Sequence, residues 1–141
     1  MTKMLNLCTI ALLFGLVFTG CQKKCDDATA LNFDAKEDCM YNTDPTISGF
    51  TLNEPVVAGG SFTFSFDLND AEGLKSWKME VVRDGVSLVE SMDTVTGTSA
   101  TIDQGVTVPK TWDSGTLFQI VITVTDEHDA TSTFSQNLTT Q

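Results

Sequence analysis

Chemistry in this chain would have to come from carboxylates, cysteines and one histidine. The 141 residues hold 19 Asp and Glu against 8 Lys and Arg, four Cys, and His128 as the sole histidine. A metal centre built on two histidines cannot form, and a Zn site has too few nitrogen and sulfur ligands to close. Neither a Gly-x-Ser-x-Gly elbow nor a Gly-rich phosphate loop occurs. Gly59-Gly60 directly precedes a strand pattern and reads as a loop or bulge. Carboxylate pairs can cleave glycosidic bonds, but so many acidic residues make chance pairs common, so the expectation is a non-enzyme. Six acidic residues fall between Asp26 and Asp44 against Lys36 alone. That density suits either a hard cation such as Ca²⁺, which takes six to eight oxygens, or a solvated acidic tether. The spacing lacks the alternation and central Gly of an EF-hand. Trp112, between Thr111 and Asp113, stands in an expected loop. It could stack on a sugar ring or a protein partner, or plug the end of a β-sandwich.

The formal charge of -11 repels nucleic acid and anionic headgroups, so no nucleic-acid partner is expected. Membrane attachment must then come from something other than a basic patch. The first 20 residues have the parts of a secretory signal: Lys3, an uncharged apolar stretch over residues 5–18, then Thr19-Gly20. The stretch is shorter than the ~20 residues of a bilayer span, which favours a signal peptide over a permanent helix.

Phe18-Thr19-Gly20-Cys21 resembles the lipobox of bacterial lipoproteins, with Phe18 where Leu is usual. The resemblance implies that Cys21 becomes a lipid-bearing N-terminus with several acyl chains, enough for stable anchoring, and that the protein resides in the cell envelope. Gln22 after the Cys is compatible with the outer membrane, at its periplasmic face or on the cell surface. Cys8 is then discarded with the signal, and Cys25 and Cys39 remain as an even pair in an oxidising compartment. An ordinary signal peptide would instead leave Cys21 available for a disulfide, with one thiol over. The positions Cys25, Asp27, Ala30, Asn32, Phe33, Asp34, Asp38, Cys39 and Tyr41 are similar to a short Cys-bounded module of secreted proteins in Bacteroidota-type bacteria. Asp93-Thr94-Val95 resembles the O-glycosylation acceptor of exported proteins in the same bacteria, which implies modification at Thr94.

The expected organisation is a signal peptide over residues 1–20, a lipidated acidic tether over 21–45, and a β-domain over 46–141. Strands are expected at residues 47–52, 61–68, 74–83, 86–92, 117–125 and 131–138, with weaker ones at 99–102 and 106–108. Residues 61–68 alternate Phe62, Phe64, Phe66 and Leu68 against polar neighbours, and 117–125 alternate Phe118, Ile120, Ile122 and Val124. Asp84-Gly85 is a two-residue hairpin signal. About seven short strands with regular turns read as an all-β, antiparallel, immunoglobulin-like sandwich. The run from Phe64 to Trp77 and the ending Val124-Thr125-Asp126 before Thr131 resemble Ig-like and fibronectin-type domains of bacterial lipoproteins. In such a sandwich the loop after the second strand and the loop before the last lie at one pole. That would gather Asp67, Asp70, Glu72, Asp126 and Asp129 as a candidate Ca²⁺ set, or leave them splayed in water. The functional expectation is a lipid-anchored Ig-like module that binds a glycan or an envelope protein. The alternative is a structural accessory subunit or spacer without a ligand of its own.

Overall fold

In the computed structural model, residues 24–141 are described; the expected signal segment and Cys21 lie outside the described residues. The chain divides into two compact units, Met1–Tyr41 and Asn42–Gln141. Within the first, Cys25 and Cys39 form a disulfide that closes a loop of turns. Asn32 ties that loop across its middle: its Nδ2 donates to the Asp38 carbonyl, and its Oδ1 accepts the Met40 N–H, both at 2.8 Å.

The second unit is a sandwich of two antiparallel sheets. Its strands are β1 (Thr46–Leu52), β2 (Ser61–Asn69), β3 (Leu74–Arg83), β4 (Val86–Thr94), β5 (Ser99–Thr107), β6 (Leu117–Asp126) and β7 (Thr131–Thr139). One sheet has the order β1-β2-β5 and the other β4-β3-β6-β7. This is an immunoglobulin-like architecture in which the fourth strand pairs with the third, not with the strands of the opposite sheet.

Period-two patterning makes the core. Phe62, Phe64, Phe66 and Leu68 of β2 are fully buried, as are Ile120, Ile122 and Val124 of β6. Each such side chain contributes about 1.5–3 kcal/mol by leaving water. Rings join the two layers: Phe62 meets Phe118 at 6.1 Å between centroids, and Phe66 meets Trp77 edge-on at 5.9 Å. The Asp84-Gly85 turn has φ of 51° and 77°, positive at both central residues as a hairpin turn of the I′ kind requires.

Residues 99–108 depart from expectation. They form one strand, Ser99–Thr107, paired with β2 in unbroken register from Asn69↔Ser99 to Ser61↔Thr107. Asp103, Gln104 and Gly105 interrupt the local pattern, yet the ladder along β2 carries them. Strand preference is decided by the neighbour more than by the segment.

Candidate functional site

The pole of the sandwich at the ends of β2 and β6 is built from two aspartates that organise turns. After β2 the chain must reverse within four residues into β3. Asp70 makes this possible: its Oδ1 accepts the N–H groups of Glu72 at 2.9 Å and Gly73 at 2.7 Å. Gly73 has φ of 125°, a conformation that side chains oppose, which accounts for the glycine in Asp70-Ala-Glu-Gly73. After β6, Asp126 does the same work. Its Oδ1 accepts the N–H of His128 and of Ala130, both at 2.8 Å, and its Oδ2 accepts Asn42 Nδ2 at 2.6 Å. The two turns are joined where the Glu127 N–H donates to the Gly73 carbonyl at 2.9 Å.

Asp126 has no exposed surface. Burial pushes its carboxyl up, but the Asn42 amide and the N–H groups of Ala130 and His128 stabilise the anion more, and it titrates below its ordinary 3.8. Asn42 and Thr43, which the sequence assigns to the tether, form a strap on this pole. Thr43 Oγ1 donates to Glu72 Oε2 at 2.7 Å.

The five carboxylates expected to share a Ca²⁺ ion do not form one ligand set. Asp67 lies on the outer face of the three-stranded sheet, where its Oδ1 accepts the Thr101 hydroxyl at 2.7 Å. Asp129 pairs with Lys75, Glu72 takes the Thr43 hydroxyl, and Asp126 is held by its three donors. Among the described residues, no three of His, Cys, Asp and Glu converge as a metal group. At Asp70 and Asp126 the turn-forming role wins because main-chain N–H groups in tight turns need acceptors locally. Of the five, Asp70 is the one with a buried oxygen, Oδ2, that has no hydrogen-bond partner. It lines a shallow open depression of about 520 Å³ together with Thr43, Asp44, Thr46, Asn69 and Ser99.

Trp112 is likewise not an exposed platform. It is 7% exposed, its ring lies 5.1 Å from that of Phe118, and the Arg83 guanidinium sits 5.3 Å above it. It plugs the opposite end of the sandwich. Burial of the indole outweighs display because the loop after β5 folds over the open end of the core. Thr94 is exposed at the end of β4, with its N–H on Asp93 Oδ1 at 2.7 Å. It therefore lies accessible on the surface, beside Met92, Ser76 and Thr125 along a groove of about 460 Å³ on the outer face of the four-stranded sheet.

In the Cys25–Cys39 loop two carboxylates, Asp27 and Asp34, are also engaged. Asp27 Oδ1 accepts the Thr29 N–H at 2.9 Å and hydroxyl at 2.7 Å, and its Oδ2 accepts the Tyr41 hydroxyl at 2.8 Å. These bonds, the Thr29 N–H foremost, hold Asp27 below the usual carboxylate range, and the bond to Asp27 holds Tyr41 above its ordinary value. Asp34 pairs with Lys24.

Sequence reasoning missed one surface. β4 is an edge strand, bonded on one side only to β3. It exposes Val86 by 58%, Leu88 by 48%, Val89 by 40% and Met92 by 63%. The legible signal was the apolar pairing Leu88-Val89, which breaks alternation and puts large side chains on both faces. Leu88 and Val89 also border a small apolar cleft of about 80 Å³ against Val106, Pro109 and Trp112.

No protein-family model matches the chain, and no curated protein matches it. Among solved structures, a CARDB domain from Pyrococcus furiosus, crystallised in complex with di-metal ions, is similar at 15% identity. The similarity covers 71% of this chain and 90% of that one, with a TM-score of 0.46.

Proposed function

We propose that this chain is a lipid-anchored module of a bacterial cell envelope, fixed through Cys21 in the outer membrane, whose Ig-like domain binds a partner along the edge of its four-stranded sheet. The lipobox-like Phe18-Thr19-Gly20-Cys21 supports the anchor. The observation that carries the binding role is β4. A strand with one unpaired main-chain edge and four large exposed apolar side chains is an aggregation hazard unless it serves a contact. Such an edge accepts an added strand, with main-chain bonds supplying affinity and alternate side chains supplying selectivity. That favours an envelope protein over a glycan as the partner, and a binding module over a passive spacer.

The test uses the full chain in a bacterial envelope. Metabolic labelling with a fatty-acid analogue should mark the wild type and not Cys21→Ser; equal labelling rejects the anchor. Cross-linking in envelope membranes should trap a defined partner with wild type. Leu88→Glu with Met92→Glu should reduce the trapped product at least tenfold at an unchanged melting temperature. Capture that is indifferent to the double variant rejects the β4 edge. No product with either protein favours the spacer.

A further inference from the structure

Two buried side-chain atoms among the described residues have no hydrogen-bond partner: Asp70 Oδ2 and Asn42 Oδ1. Both are oxygens. Buried polar atoms are nearly always satisfied, and those left over ask for a missing group. Here that group must present positive charge or donors.

Neither oxygen can turn away from its position. Asp70 is 6% exposed, and its other oxygen is held by the N–H groups of Glu72 and Gly73. The Asn42 amide is held by its Nδ2, which donates to Asp126 Oδ2 at 2.6 Å; a flipped amide would set its oxygen against that carboxylate. The strap that carries Asn42 is tied to the Asp70–Gly73 turn by the bond from Thr43 Oγ1 to Glu72 Oε2 at 2.7 Å. The two orphaned acceptors are thus linked through this strap, and Asp70 is the one of the two that lines the depression. The depression that Asp70 lines also offers the exposed Asp44 carboxylate and the oxygens of Thr46 and Ser99.

We propose that this corner binds a hard divalent cation of the Ca²⁺ class, with Asp70 Oδ2 and the Asp44 carboxylate as charged ligands and neutral oxygens of residues 42–46 completing the set. Hard cations take such mixed shells of carboxylate, amide and hydroxyl oxygen. The site differs from the five-carboxylate cluster expected from sequence, of which it keeps Asp70 alone. With two carboxylates, affinity falls in the weak range of extracellular modules, about 10⁻⁴–10⁻³ M. A buried water donating to the same oxygens is the competing occupant.

Isothermal titration of the full chain with CaCl₂, and melting with CaCl₂ against chelator, decide between them. Wild type should bind in that range and melt higher with Ca²⁺, as binding to the folded state alone requires. Asp44→Asn, at an exposed position, should leave the metal-free melting temperature unchanged and weaken binding about tenfold, and Asp70→Asn should abolish it. Asp103→Asn, an exposed acid on β5, should bind as wild type. Absence of any Ca²⁺-dependent heat or melting shift overturns the site in favour of water. So does a response retained in full by Asp44→Asn, which would move the ion elsewhere.

Discussion

Two aspartates of this domain, Asp70 and Asp126, are engaged by main-chain N–H groups of their own turns. Asp126 shows the consequence for stability. Its folded carboxyl titrates below the ordinary 3.8, so its contribution is complete above that value and is lost as pH falls through the lower folded value. Asp126→Ala removes the acceptor of three donors, and hydrogen bonds to a charged group are each worth more than neutral ones. The expected cost is about 2–3 kcal/mol at neutral pH, measured by urea unfolding. Wild type should also lose stability below pH 3.8 more steeply than the variant. Equal acid limbs would show that the carboxylate is not held in its anionic form. The same two-donor arrangement at Asp70 means that its Oδ1 was never available to a metal. From sequence, a carboxylate that binds an ion and one that closes a turn are the same letter.

Turns and edges set what each element can do. The β3–β4 hairpin and the β2–β3 reversal both rest on glycine, with different demands. Gly85 has φ of 77°, and an added Cβ there meets nothing within 4 Å. Gly85→Ala should cost about 1 kcal/mol, from the backbone alone. At Gly73, φ of 125° lies outside the left-handed well that other residues tolerate, and the added Cβ would stand 3.1 Å from Glu127 Cδ. Gly73→Ala should cost at least about twice as much, and thermal melts of the two variants give the comparison directly. If the two cost the same, the Asp70–Gly73 turn can relax, and the Asp-x-x-Gly pattern has no conformational basis. At the sheet edges, β4 exposes apolar side chains along an unpaired ladder, whereas β5 carries Asp103 and alternates its burial. Both strands carry charge, Glu90 and Asp93 on β4 and Asp103 on β5, but large apolar side chains are exposed on β4 and not on β5, so of these two edges β4 is the one suited to strand addition.

At the scale of the whole molecule, the two units are stabilised by different means. Residues 24–41 have no buried apolar cluster to match that of the sandwich, and their order comes from the Cys25–Cys39 bridge and the bonds of Asp27 and Asn32. Closing a loop of that size contributes about 3 kcal/mol in the chain-entropy model. The unit Asn42–Gln141 has a continuous core of its own. Reduction of the full chain should therefore release residues 25–39 to fast amide exchange while the strands β2, β3 and β6 keep their protection. Loss of protection in those strands on reduction would show that the units depend on one another.

Local periodicity and turn chemistry determined the all-β class, the alternating cores of β2 and β6, the Asp84-Gly85 hairpin and the length of β3, because a period of two and a positive-φ turn are written within a few residues. Tertiary structure decided the rest. β5 exists as one strand because β2 pairs with all of it. Trp112 is buried because its loop covers the open end of the core, a fact that no neighbour in sequence encodes. Asp67, Glu72, Asp126 and Asp129 are drawn to different partners because each meets a donor brought from elsewhere: Thr101, Thr43, Asn42 with the turn of Asp126 itself, and Lys75. The exposed face of β4 and the two unpartnered oxygens at the Asp70 corner follow from what the fold leaves uncovered or unpaired, and that is defined only once every other residue has its place.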